Sequence, residues 1–256
     1  MYGRNRRGYP QNSFRIPGAT PMVHNIILAN CLVWLLQLVS GRLGLPLTEL
    51  GAINVDGFLH HLQLWQPFTY MWLHDFPSPW HLVFNMWFLW MVAPELEMTW
   101  GSRRFLRFYV SCGVGAGFAI LAWNALASTW NPFMAYIPTV GASGAIYGVV
   151  TAFSLLWPDR MIILLIPPMP IRAIWLVPVL FLLQIVLGGG GNVSHVGHLG
   201  GVIAAGILLR EHVRRALGWR TLSHRWHRMR MRNRLRAVRR EEFERRRNDD
   251  DQRTYH

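Results

Sequence analysis

The chain predicts an all-α polytopic membrane protein, a bundle of six transmembrane helices with a membrane-embedded first loop, and three features carry that prediction. Its 256 residues are 52% hydrophobic yet hold a formal charge of +13, so apolar and charged residues must be segregated along the chain. All 26 basic residues are arginine, and they fall in blocks at the two ends and in short internal stretches. Between the blocks lie six apolar stretches that approach the roughly 20 residues a helix needs to cross a bilayer.

The stretches run from Val23 to Val39, Trp80 to Ala93, Phe105 to Ala127, Ala142 to Trp157, Ile171 to Leu187 and Val196 to Leu209. Several are short, which implies helices that tilt little, start below the membrane surface or border a wet cavity. Arg4, Arg6, Arg7 and Arg15 precede the first stretch, Arg103, Arg104 and Arg107 follow the second, and Arg160 and Arg172 flank the link between the fourth and fifth. The positive-inside rule makes these segments cytoplasmic, together with both termini. Only Arg42 lies on the other side. The first stretch has the basic lead and apolar run of a signal peptide, but it begins late and lacks a small-x-small cleavage site, which favours an uncleaved helix. The expected organisation is a basic cytoplasmic segment over residues 1–21, a transmembrane domain over 22–209 and an arginine-rich cytoplasmic tail over 210–256. A multi-pass protein of the inner (plasma) membrane follows, and the exclusive use of arginine suggests a GC-rich bacterium.

The long connection from Ser40 to Pro79 carries Trp65, Phe68, Tyr70, Trp72 and Phe76. Such rings suit a loop lying partly in the headgroup layer. Cys31 and Cys112 lie in separate apolar stretches and read as small core residues with no disulfide between them. Small residues recur every fourth position in the fourth stretch (Gly144, Gly148, Ala152) and the sixth (Gly197, Gly201, Ala205). Stripes of this kind let helix backbones approach closely in lipid, so these two helices are expected to touch. Gly113 and Gly117 give the third a similar stripe.

Chemistry is concentrated on the same helices. Gly141-Ala142-Ser143-Gly144 heads the fourth stretch, and His195-Val196-Gly197-His198 opens the sixth. A serine hydroxyl becomes a nucleophile when a base takes its proton, and neutral imidazole is the usual base. His81 and Asn85, at i and i+4, share one face of the second helix, and polar groups there are costly unless they face a cavity or a partner. With the Ser143 backbone N–H they form a candidate site for a developing oxyanion. Tyr147, one turn after Ser143, is placed to stack on His198. Any one of these residues alone has a structural explanation, such as a helix-packing hydrogen bond; together, at one membrane face, they point to catalysis. His195 competes with His198 for the role of base. The pair also raises a metal reading, with His74 or His81 as further ligands. No H-E-x-x-H motif is present, and the nearby acids are confined to Glu49, Asp56 and Asp75 in the long loop. Serine chemistry without metal or cofactor is therefore favoured.

Four motifs, in order and spacing, make the stretch from Trp65 to Gly206 resemble the rhomboid intramembrane serine proteases. They are His81-Leu-Val-Phe-Asn85; Glu97-Met-Thr-Trp-Gly101 with Arg103-Arg104-Phe105-Leu106 just after it; Gly141-Ala-Ser143-Gly144-Ala-Ile-Tyr147-Gly; and His198-Leu-Gly-Gly201. The resemblance implies that Ser143 is the nucleophile and His198 its general base and acid, a dyad with no carboxylate. It favours His198 over His195, because the family motif has a glycine three residues after the histidine, here Gly201. It implies an oxyanion site of His81, Asn85 and the Ser143 amide. It also implies transmembrane protein substrates, cut near their extracytoplasmic end at a small residue after entering between the second and fifth helices. A regular helix hides its carbonyls in i to i−4 bonds, so small or helix-breaking residues in a substrate fit that chemistry. Two positions depart from the family pattern: Trp65 is followed by Gln66 instead of arginine, and Ala205 stands for the second glycine of the sixth-helix repeat. Other readings are a catalytically silent relative that holds membrane clients, and a polytopic transporter or metal enzyme.

The tail from Arg210 to His256 holds sixteen arginines against seven acids. It reads as a topology anchor on anionic lipid headgroups; specific nucleic-acid binding is not expected, since any arginine-rich segment has general affinity for phosphate. The Asn248-Asp-Asp-Asp segment is expected to be disordered.

Overall fold

A computed structural model of the chain describes residues 20–75, 78–165, 168–187 and 195–216. The basic lead and most of the tail therefore lie outside the described residues, as do Phe76 and the glycine-rich link 188–194. The chain divides into two units, Met1–Leu209 and Arg210–His256. In the second, helix α10 (Arg210–Ala216) is described.

The first unit is built on long helices. Helix α1 (Pro21–Arg42) is 22 residues long; α5 (Pro79–Trp100) and α6 (Ser102–Ala127) follow the long loop and meet at Gly101, whose φ of +79° breaks the helix between them. Among the described residues two helices, α1 and α6, are both long and apolar enough to cross a membrane. Helices α7 (Ser143–Leu156), α8 (Leu176–Leu187) and α9 (His195–Leu208) are shorter and strongly apolar.

Polarity is inverted relative to a water-soluble helix. On α1, Leu28, Leu32, Leu35, Leu36 and Val39 are exposed while Asn30, Gln37 and Ser40 are buried. An apolar exterior with hydrogen-bonded polar groups inside is the arrangement lipid favours. Each inward polar group has a task. Asn30 Nδ2 donates to the Ile26 carbonyl at 2.7 Å and Ser40 Oγ to that of Leu45 at 2.7 Å. The Gln37 carboxamide imitates a peptide, donating to His74 O at 3.0 Å and accepting from His74 N–H at 2.9 Å.

The N-terminus of α1 has no side-chain cap of its own. Glu97, on α5, supplies one: its carboxylate accepts the N–H groups of Met22 and Val23, both at 2.9 Å, and the Ser102 hydroxyl at 2.6 Å. A negative charge at a helix N-terminus also opposes the helix dipole favourably. The Glu97 to Gly101 motif thus ties three helices together.

The long loop folds into α2 (Leu47–Gly51), α3 (Val55–Leu59), α4 (Gln66–Thr69) and a 3₁₀ turn, Tyr70–Trp72. Trp65 and Phe68 are exposed. Tyr70, expected at the interface, is instead buried to 2% exposure, and its hydroxyl donates to the Gly113 carbonyl on α6 at 2.7 Å. The reason lies in the glycine stripe of α6, where Gly113 and Gly117 make room for Met71, Tyr70 and Ile53 of the loop. The face of α6 toward α9 is made by Gly115, Ala116 and Ala119. Gln66 is fully buried and satisfied: its Oε1 accepts from Asn54 N–H at 3.2 Å and its Nε2 donates to Gln63 Oε1 at 2.6 Å. Glutamine therefore supplies internal polar contacts at the position where the family pattern has arginine.

The link between α7 and α8 corrects the sequence reading. An antiparallel hairpin forms from β1 (Met161–Leu165) and β2 (Pro168–Arg172), with Met161 opposite Arg172, a small addition to a mostly helical fold. The fifth helix accordingly begins at Leu176, after a 3₁₀ turn over Ala173–Trp175, rather than at Ile171. Pro168 and Pro170 oppose helix here, and in a two-stranded sheet every strand has a free edge that tolerates proline. Arg160 at the hairpin's start pairs with Glu95 of α5 at 2.6 Å.

Candidate active site

Ser143 is the first residue of α7, and the segment before it is pinned from two directions. Thr139 exchanges both backbone hydrogen bonds with Ile53 of the long loop, each 2.9 Å, and the Gly141 N–H donates to Tyr70 O at 3.0 Å. Gly141 then turns the chain with φ +129°, a conformation that favours glycine.

Helix α9 meets α7 along the two small-residue stripes. A Cβ at Gly144 would fall 2.6 Å from Ala116 Cβ and 3.3 Å from the Gly197 carbonyl; one at Gly201 would fall 2.8 Å from the Gly144 carbonyl carbon. Backbones this close leave no room for side chains between them. The approach sets the buried His198 ring against the serine, with Nε2 2.7 Å from Ser143 Oγ.

Tyr147 lies under that ring, with centroids 4.2 Å apart and planes inclined by 15°. The opposite ring nitrogen, Nδ1, is 2.7 Å from Gln184 Oε1 on α8. The Tyr147 hydroxyl donates to the same oxygen at 3.1 Å. With an acceptor at Nδ1, the imidazole carries its proton there, and Nε2 is left bare to accept the serine proton. His195, the competing base, is exposed, and its Nδ1 meets Gln184 Nε2 rather than the serine.

His81 comes from the first turns of α5. Its Nδ1 accepts the Asp75 N–H at 3.3 Å, which leaves the ring proton on Nε2. The position that a Gly141 Cβ would take is 2.9 Å from His81 Nε2 and 3.8 Å from Ser143 Oγ. The glycine thus keeps open a small space flanked by the hydroxyl and an N–H donor. Asn85 does not point its amide freely into that space, since Nδ2 donates back to the His81 carbonyl at 2.8 Å. His74, in the long loop, packs edge-on against the His81 ring at 5.2 Å. Burial pushes its pKa from 6.5 down to about 3, so His74 is neutral at pH 7.

Ser143, His198, Tyr147, His81, Gly141, Gly144 and Gly201 therefore converge in space, and Asn85 sits one turn from His81. Gln184 was passed over in the sequence. Its signal was present, because a carboxamide alone in the run Leu176–Leu187 is as costly in lipid as the histidines of α5 and α9.

Known proteins resemble this chain. The family model described as Rhomboid domain matches residues 61–213, more than half of the sequence. Rhomboid protease AarA of Providencia stuartii is 25% identical over 206 residues, which is 75% of this chain and 72% of that protein. Rhomboid protein 1, mitochondrial, of Saccharomyces cerevisiae is 30% identical over 148 residues, covering 54% of this chain and 39% of the yeast protein. Rhomboid protease GluP of Bacillus subtilis is 33% identical over 126 residues, 48% of this chain and 21% of that one. The matches thus span well under half the length of the yeast and Bacillus relatives.

Proposed function

The chain belongs to the rhomboid family, and from that premise we propose that it is an intramembrane serine endopeptidase whose dyad is Ser143 and His198. The observation that carries the proposal is the 2.7 Å approach of Ser143 Oγ to the bare Nε2 of a buried histidine.

In this reading Ser143 Oγ attacks the scissile carbonyl carbon while its proton passes to His198 Nε2. The carbonyl oxygen becomes negative as the C–O bond forms. The Ser143 N–H at the α7 N-terminus and the His81 Nε2–H face that oxygen, and the second N–H of Asn85 joins them. Collapse breaks the C–N bond, and His198 returns the proton to the leaving amine. Water, deprotonated by the same imidazole, then hydrolyses the acyl-serine ester and restores the hydroxyl.

Helices α1, α5, α6, α7, α8 and α9 are the six spans of this reading. Residues 1–21 and the 210–256 tail then lie in the cytoplasm of a bacterial inner membrane, the tail on anionic headgroups. The 14 residues of α7 reach about 21 Å, short of the roughly 30 Å hydrocarbon layer. With its far end near the cytoplasmic face, Ser143 sits below the opposite surface, where a transmembrane helix presents its outer end. The substrates of this reading are transmembrane proteins, cleaved near their extracytoplasmic face.

Cleavage of a reporter transmembrane helix in detergent or proteoliposomes tests the assignment. Ser143→Ala and His198→Ala are expected to lose at least about a thousandfold in kcat, and the serine variant to lose labelling by a fluorophosphonate. A Ser143→Ala protein that cleaves at the wild-type rate refutes it. A silent client-binding protein would show neither cleavage nor labelling.

A further inference from the structure

We propose that Gln184 is a positioning residue for the dyad, a neutral carboxamide occupying the place that a carboxylate holds in a serine protease triad. The proposal rests on the Ser143–His198 reading and adds a third member from another helix.

The geometry is a relay of four groups. The Ser143 hydroxyl faces His198 Nε2; His198 Nδ1 faces Gln184 Oε1, at 2.7 Å; and Gln184 Nε2 faces His195 Nδ1. The Tyr147 hydroxyl, whose ring also supports His198, adds a second donor to Oε1 at 3.1 Å. The direction of the amide decides the chemistry. With Oε1 toward His198, the imidazole proton resides on Nδ1 and Nε2 accepts from serine. Reversed, the amide NH₂ would face Nδ1 and force the proton onto Nε2, the atom that must be bare. Tyr147 on one side and His195 on the other hold the productive orientation: the hydroxyl donates to the oxygen, and the His195 nitrogen receives the NH₂.

His195 thereby gains a function as well. It is no base; it is the outer acceptor that keeps the carboxamide from turning over. Because Gln184 belongs to α8 while Ser143 and His198 belong to α7 and α9, the correct tautomer is favoured only while α8 is seated on α7.

A neutral acceptor suits this site. A carboxylate would stabilise the imidazolium more strongly, but burying its charge next to apolar α8 costs more than a carboxamide does. Removing the acceptor leaves a buried N–H unpaired or lets the proton migrate to Nε2. Either outcome acts on the chemical step and not on substrate binding.

The test uses the full-length protein, the reporter helix and three variants. Gln184→Met preserves length and apolar fit, and is expected to lower kcat between about fivefold and about a hundredfold with KM within twofold of wild type. Gln184→Glu has an oxygen toward Nδ1 in either rotamer and is expected to recover kcat to within a fewfold of wild type. A Met variant with wild-type kcat, or a Glu variant as slow as Met, overturns the positioning role. Ser143→Ala separates the two levels. If it is inactive while Gln184→Met is fully active, only the role of Gln184 fails; if Ser143→Ala itself cleaves, the dyad and the proposal fall together.

Discussion

Gly201→Ala is the substitution for which the structure gives the sharpest expectation. The added methyl would fall 2.8 Å from the Gly144 carbonyl carbon, and closer still to its oxygen. Carbon atoms pack at about 3.5 to 4.0 Å, and the nearer oxygen demands no less, so α9 must withdraw from α7 by about 1 Å or more. The obstacle is backbone on a helix whose other faces are packed, so no side-chain rotation relieves it. Overpacking of this kind costs about 1 to 3 kcal/mol. The same withdrawal stretches the 2.7 Å contact between His198 and Ser143 to about 3.7 Å, beyond hydrogen-bond reach, and a misplacement of about 1 Å can reduce catalysis about a hundredfold. The control is Gly206→Ala on the same helix, where a Cβ meets nothing within 4 Å. Thermal unfolding in detergent and reporter cleavage are measured on both. Gly201→Ala should melt lower and lose at least about tenfold in kcat, while Gly206→Ala matches wild type. A Gly201→Ala protein with wild-type melting and activity would mean that the α7–α9 contact is looser than the structure has it.

Two further substitutions probe the frame around the site. Glu97→Ala removes the shared cap of α1 and should lower stability by about 1 to 2 kcal/mol, while the folded fraction keeps its kcat, because Glu97 is sixteen helical residues, about 24 Å, from His81. An unchanged melting temperature would show that α1 needs no cap from α5. His74 carries a pH expectation. Its folded pKa is about 3 against 6.5 for a free histidine, so below pH 6.5 the unfolded chain binds a proton that the folded one refuses. Its contribution is constant above pH 6.5 and is lost as pH falls toward 3, at up to roughly 1.4 kcal/mol per pH unit. His74→Phe should flatten the acid side of a melting-temperature profile, and an unaltered slope would refute the assignment.

What the sequence made legible follows from where local signals suffice. Ser143, Tyr147, His81 and His198 stand out because each is polar in an apolar helix, and the stripes through Gly144 and Gly201 say which helices meet. Gln184 carried the same polarity signal without a motif around it, and the partners that give it meaning are 11 to 37 residues away. The long loop was harder. Helices of four or five residues have no readable periodicity, and an aromatic such as Tyr70 is equally suited to a headgroup layer and to a glycine-lined recess. Met161–Leu165 is a short apolar run, ambiguous between strand and helix, and only its pairing with a proline-rich partner resolves it. The carboxylate of Glu97 reaches N–H groups 74 and 75 positions earlier, a relation no local pattern encodes. Gly113 and Gly117 had the spacing of a helix contact but receive the loop, because a stripe records closeness without naming the neighbour.

The hydroxyl and the imidazole that meet in this protein are 55 residues apart in the chain. At about 5 to 20 residues per second, a ribosome delivers the second between about 3 and 11 seconds after the first. Through that interval the serine of the proposed dyad has no base beside it. In the proposed reading, translation order is therefore a safety catch, released only when α9 arrives.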